Sequence, residues 1–156
     1  MQSCDNTSAG VLVFREGKLL LIDRAKPPYG YAAPAGHVDD HGTPGDLEEE
    51  RYRDAAHDEL REETGLSASS LTLLGEGRKE LACRRGGTWH YWRVYVAEAS
   101  GEVVLNPDEA VRHIWCDKAQ LEALLRGGAI ETEHGSVTLE PVWIDWLGEL
   151  DIVSQF

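Results

Sequence analysis

Apolar residues in AGVLVFREGKLLLIDRA fall into two β-rich runs on either side of Glu16-Gly17. A Gly at that point supplies the positive φ that a tight hairpin needs, so residues 9 to 24 are expected to be paired strands. KPPYGYAAPAG follows, with three prolines and two glycines, a composition that reads as a shaped loop ending at Gly36. From Asp46 to Thr64 nearly every residue tolerates a helix. Asp46 as N-cap and Glu49 three positions on form a capping-box arrangement, and Gly65 is the natural C′ stop. Thr43 before Pro44 offers a second possible start, because Pro is favoured at the first helical position.

Downstream, SLTLLGEGRKELAC and TWHYWRVYVAEASGEVVL are strand-like runs rich in Val, Tyr and Trp, with RRGG and ASGE as turns. DKAQLEALLRGG predicts a short amphipathic helix ended by glycines. LEPVWIDWLGELDIV predicts a last helix in which Trp143, Trp146, Leu147 and Leu150 recur at helical spacing and belong to the core. Strands, one helix, more strands and then helices make a mixed α/β or α+β arrangement. There are no internal repeats, low-complexity tracts or linkers, and the expectation is one domain over residues 1–156.

Composition narrows the function classes. A chain of 156 residues with 42% hydrophobic positions can bury a real core. Its net charge of -13 disfavours a nucleic-acid polymer as partner. The amino terminus lacks a basic region followed by an apolar run, and no stretch is long enough to span a bilayer, so a soluble cytoplasmic protein without membrane contact is expected. Cys4, Cys83 and Cys116 are widely scattered with no CxxC pair. They are expected to be reduced thiols, suggesting neither a zinc site nor a disulfide framework. His37, His41 and His57 raise a transition-metal reading, but with carboxylates dominating the neighbourhood they are expected to be polar loop histidines.

The chemistry concentrates in AAHDELREETGL. On a helix Glu59, Glu62 and Glu63 share a face, while Ala56 and Leu60 line the adjacent, buried side. Each like-charged pair costs roughly 0.2–0.5 kcal/mol, and the helix dipole also disfavours anions near the C-terminus. A hard divalent ion such as Mg²⁺, which takes carboxylate oxygens and bridges to phosphates, would turn that repulsion into a binding site. Spacing alone leaves solvated acids as the other reading.

At this point the sequence resembles the Nudix hydrolases. ELREETGL supplies Glu59, Leu60, Glu62, Glu63, Gly65 and Leu66 in register with the second half of that family's signature. APAGHVDDHG is similar to the loop that opens it, with Gly36 as the first glycine, and a hairpin ending in Arg24, an aromatic residue and Pro-x-Gly lead into it. Two features depart from the pattern. Asp58 stands where the signature has arginine, and Gly36 and Glu59 are separated by eight more residues than the pattern allows, as though DLEEERYR had been inserted. Arg51 or Arg53 are candidates to replace the arginine, and the mid-signature glutamate falls on Gly42 or on Glu50 depending on the end from which it is counted.

The resemblance implies an α/β/α sandwich with a central mixed β-sheet flanked by helices. It implies Mg²⁺-dependent hydrolysis, Mn²⁺ serving as well, of a pyrophosphate bond in a nucleoside diphosphate-linked substrate. Glu59 and Glu62 would be the catalytic residues, and Gly36, Glu59, Glu62, Glu63 and Glu109 the metal ligands. Asp108 and Glu109, in NPDEAVRHIW, are the candidates for the later loop acid of that family. Arg24, Tyr31 and Arg78 are the expected substrate contacts, with Lys79 a further phosphate candidate and Tyr29, Trp89, Tyr91 and Trp92 as further stacking candidates. A homodimer is common among such relatives. Asp58 motivates an alternative from another class, a catalytically weak nucleotide-binding or protein-interaction module. A Ca²⁺-binding domain is a weaker alternative, since no D-x-D-x-D-G loop is present.

Overall fold

The computed structural model describes residues 3–40 and 47–156. Strands β1 (Thr7–Arg15) and β2 (Lys18–Arg24) form the expected hairpin. Glu16 and Gly17 both have positive φ, 53° and 74°, as the twist of a two-residue connection demands. Short strands β3 (Tyr31–Ala32) and β4 (Ala35–Gly36) follow, then a 3-10 turn over Val38–Asp40. Helix α1 (Glu48–Thr64), strands β5 (Ser67–Lys79), β6 (His90–Ser100) and β7 (Ala110–Cys116), and helix α2 (Lys118–Gly127) come next. The chain ends with a small hairpin of β8 (Ile130–Thr132) and β9 (Gly135–Val137), helix α3 (Pro141–Glu149) and a 3-10 turn over Ile152–Gln155.

The main sheet runs β3-β2-β1-β6-β5, with β4 paired to β1 and β7 to β2. It is mixed, because β1 pairs β6 in parallel, Thr7 against Tyr91 through Val13 against Ala97, while β5 pairs β6 antiparallel. Alternation along β1 sorts its side chains into two layers. Ala9, Val11 and Val13 pack with Tyr52, Ala55, Ala56 and Leu60 of α1. Leu12 joins Leu121 and Leu124 of α2 and Trp143, Trp146 and Leu147 of α3 on the opposite face. The two helical layers make the expected sandwich. Gly10 is required there: a Cβ would lie 2.6 Å from the Trp143 ring.

Trp143, Trp146 and Leu147 are fully buried, as the helical spacing predicts, and Leu150 is half-buried. Several boundaries differ from the expectation. The predicted cap Asp46 and the alternative start Thr43-Pro44 lie outside the described residues, and α1 opens at Glu48 behind Leu47, which makes no side-chain cap hydrogen bond. Its end is as expected: Gly65 is left-handed, with its N–H donating to Arg61 O. The last helix is shorter than predicted, because Asp151, at φ 50°, turns the chain out of it. ASGE is the expected turn, but VVL after it is not a strand; the Val104 N–H donates to Thr64 O at the end of α1. The β8–β9 hairpin was not expected. Among the described residues no helix is long and apolar enough to cross a membrane.

Candidate active site

The last turns of α1 lie against β4 so closely that a Cβ on Gly36 would overlap the Glu59 carboxylate. Only glycine lets the two meet. At the other end of the cluster, the Val104 N–H donates to Thr64 O at 2.8 Å and the Asn106 N–H to Glu63 O at 3.3 Å. These bonds satisfy carbonyls that a helix end otherwise leaves orphaned, and they are the reason this segment does not join the sheet. Asn106 O then accepts from the N–H groups of Glu109 and Ala110, both at 2.9 Å, which fixes Glu109 beside the helix end.

Gly36, Glu59, Glu62, Glu63 and Glu109 thus line one cavity of about 510 Å³. Glu63 is buried and hydrogen-bonded to Glu59. Burial, the Glu59 charge and that hydrogen bond, together with Glu109, hold its carboxyl well above the usual glutamate range, while Arg24 opposes them. A buried carboxyl crowded by other acids, with hard oxygen donors converging on it, is a donor set that fits Mg²⁺ or Mn²⁺.

Arg24 enters the same cavity from the end of β2. Its Nε donates to Pro28 O at 2.6 Å and lies 3.9 Å from Glu140 Oε1. Glu140 is itself buried, and burial raises its pKa against the pull of Arg24. Arg84 and Arg85 from the β5–β6 loop line the same cavity; Arg85 pairs with Asp39 at 2.9 Å. Sequence reasoning missed Glu140, Arg84 and Arg85. A lone acid before a proline and two arginines in a turn carry no periodicity that separates them from surface charge.

Other expected residues stand elsewhere. Tyr31 is buried in β3 and is not among the cavity-lining residues. Arg78 lies outside the cavity, paired with Glu80 and stacked 4.3 Å from the Trp89 ring centroid. Lys79 is buried between Asp145 and Glu149, at 2.9 and 3.0 Å. Asp58 pairs with Arg61 at 3.0 Å. Arg53 donates to Leu71 O at 2.9 Å and lies over the Tyr95 ring, turned toward β5 rather than toward the glutamates. Glu50 is exposed in the first turn of α1, and Gly42 and His41 lie outside the described residues. Of the aromatic candidates, Trp92 lines the cavity, and it is largely buried edge-on against Trp143.

The expectation of scattered thiols needs correction. Cys4 and Cys83 converge with His37 and His90, their four potential ligand atoms all within 4.8 Å of one another. The fold does this by laying the segment before β1 beside the start of β6, with β4 adjacent. Cys116 is buried elsewhere, and burial together with Asp117 pushes its thiol up to about 12.

The family model for the NUDIX domain matches residues 5–134. The chain belongs to the Nudix family. It is 29% identical over 126 residues to a mouse (Mus musculus) bis(5'-nucleosyl)-tetraphosphatase [asymmetrical], a match that covers 72% of this chain and 80% of that protein. The structure of a MutT NUDIX hydrolase from Burkholderia pseudomallei matches with 25% identity and a TM-score of 0.57, covering 77% of this chain and 87% of that one. A MutT protein from Methanosarcina mazei Go1 shares the fold over the whole of this chain and 99% of its own, with a TM-score of 0.69 at 18% identity. As a Nudix protein with these relatives, the chain is a pyrophosphohydrolase.

Proposed function

We propose that this Nudix enzyme uses Mg²⁺ to hydrolyse a pyrophosphate bond in a nucleoside diphosphate-linked small molecule, dinucleoside polyphosphates included. The observation that carries the reading is the buried Glu63 carboxyl, sharing a hydrogen bond with Glu59 in a cavity that also holds Glu62 and Glu109. Desolvating an acid among acids is costly unless a cation occupies the site. Glu59, Glu62, Glu63 and Glu109, with the Gly36 carbonyl, would hold the ion. Mg²⁺ in such a site neutralises phosphate oxygens and acidifies water.

The remaining steps belong to the side chains. Arg24 and Arg84 present cations to the cavity that the glutamates line, where they orient the phosphate chain. Glu62, exposed at the cavity wall, accepts the proton of the attacking water on a carboxylate oxygen. The water oxygen bonds to one phosphorus, and the bridging oxygen leaves with the electrons of the broken bond. The dinucleoside substrate class is supported by the 29% identity to the mouse tetraphosphatase.

The test is a turnover screen with Mg²⁺ or Mn²⁺ over nucleoside triphosphates, oxidised nucleotides, dinucleoside polyphosphates, ADP-ribose and nucleotide sugars, run beside Glu62→Gln. Cleavage of at least one compound is expected, with roughly tenfold or greater loss in the variant. Ligand-dependent thermal stabilisation without any turnover would instead identify a nucleotide-binding module, and equal rates in both proteins would remove Glu62 from the reaction.

A further inference from the structure

We propose that Cys4, His37, Cys83 and His90 form a tetrahedral zinc site, separate from the glutamates, that pins the β5–β6 loop over the active-site cavity. The donors fit the ion: two thiols and two imidazoles are soft to borderline ligands, the Cys₂His₂ set of closed structural sites. So does the spacing. Cys4 Sγ lies 3.6 Å from His37 Nε2 and 3.3 Å from His90 Nε2. Tetrahedral bonds of Zn–S ≈ 2.3 Å and Zn–N ≈ 2.0–2.1 Å put sulfur and nitrogen donors about 3.5 Å apart.

The surroundings are shaped for this convergence. The Cys83 N–H donates to Gly87 O at 2.9 Å and the Gly86 N–H to Cys83 O at 3.1 Å, closing a tight turn. A Cβ at Gly87 would lie 2.5 Å from Cys4 Sγ and 3.2 Å from Cys83 Sγ, so glycine is what leaves room for both sulfurs. The four residues come from the segment before β1, the residue after Gly36, the loop, and the first position of β6, so one ion would tie together parts of the chain far apart in sequence. His37, Cys83 and His90 line the active-site cavity, and the tethered loop carries Arg84 and Arg85. Carboxylates for a hard ion and thiolates for a soft one thus sit side by side without sharing a donor.

Elemental analysis of the reduced, gel-filtered protein should find about one zinc per chain. Titrating zinc-stripped protein with Co²⁺ should saturate at about one equivalent with thiolate-to-cobalt charge transfer in the near ultraviolet and the visible bands of tetrahedral cobalt. Cys83→Ser, which leaves one thiolate, should lose at least about half of the charge-transfer intensity. Cys116→Ser and Glu63→Gln should keep it, which separates this site from the glutamate site whatever the enzyme assay gives. Cys83→His guards against a folding defect: it should still bind about one Co²⁺, with weaker charge transfer. Octahedral cobalt spectra, a signal unaffected by Cys83→Ser, or a Cys4–Cys83 disulfide in protein that takes up no metal after reduction would each overturn the proposal.

Discussion

Glu63 is where a single residue carries most of the consequence. Because its folded-state pKa is raised by burial and by Glu59, the folded protein holds that proton more tightly than the unfolded chain does. Stability from this group is therefore complete below the ordinary glutamate pKa and is lost as pH climbs from there toward the raised folded value. Glu63→Gln removes the penalty. In protein freed of Mg²⁺ and Mn²⁺, thermal unfolding should show the variant more stable at neutral pH, by on the order of a few degrees, with the advantage vanishing below the ordinary carboxylate range. Added Mg²⁺ should then stabilise the natural protein more than it stabilises Glu63→Gln. A variant less stable than the parent at neutral pH would mean that Glu63 is not under electrostatic strain.

Elements differ in how far their sequence announces them. The end of α1 and the Glu16-Gly17 hairpin were legible because each is decided locally, by helical spacing stopped at Gly65 and by positive φ at two adjacent residues. The α2 helix is similar: Asp117 Oδ1 accepts from the Gln120 N–H at 2.8 Å, while the Gln120 side chain accepts from the Asp117 N–H at 2.9 Å. Asp117→Ala should cost about 1 kcal/mol in chemical denaturation, with an unchanged denaturant slope; no change in the midpoint would mean the cap adds nothing to this helix. VVL, after the ASGE turn, was misread as strand because its valines have β propensity, whereas the Val104 N–H goes to the Thr64 carbonyl and the Asn106 N–H just beyond it to that of Glu63. Tertiary demand outweighed propensity there.

At the scale of the whole molecule, the glutamates could be found because three of them ride one helix face, whereas the residues that complete the cavity come from distant segments. Glu140 precedes α3, Arg84 and Arg85 sit in the β5–β6 loop, and Cys4 meets His90 only because β1 and β6 run parallel. None of those juxtapositions has a spacing that a linear reading can detect. They bring Arg84 and Arg85 into one cavity with Arg24 and the glutamates, the mix of charges expected of a site that takes a polyphosphate with its cation. Crystals grown with Mn²⁺, with anomalous diffraction recorded on both sides of the manganese edge, test that arrangement most directly. A manganese peak is expected within bonding distance of Glu59 and Glu63 carboxylate oxygens; an ordered cavity in which those carboxylates bind no manganese would contradict the metal site.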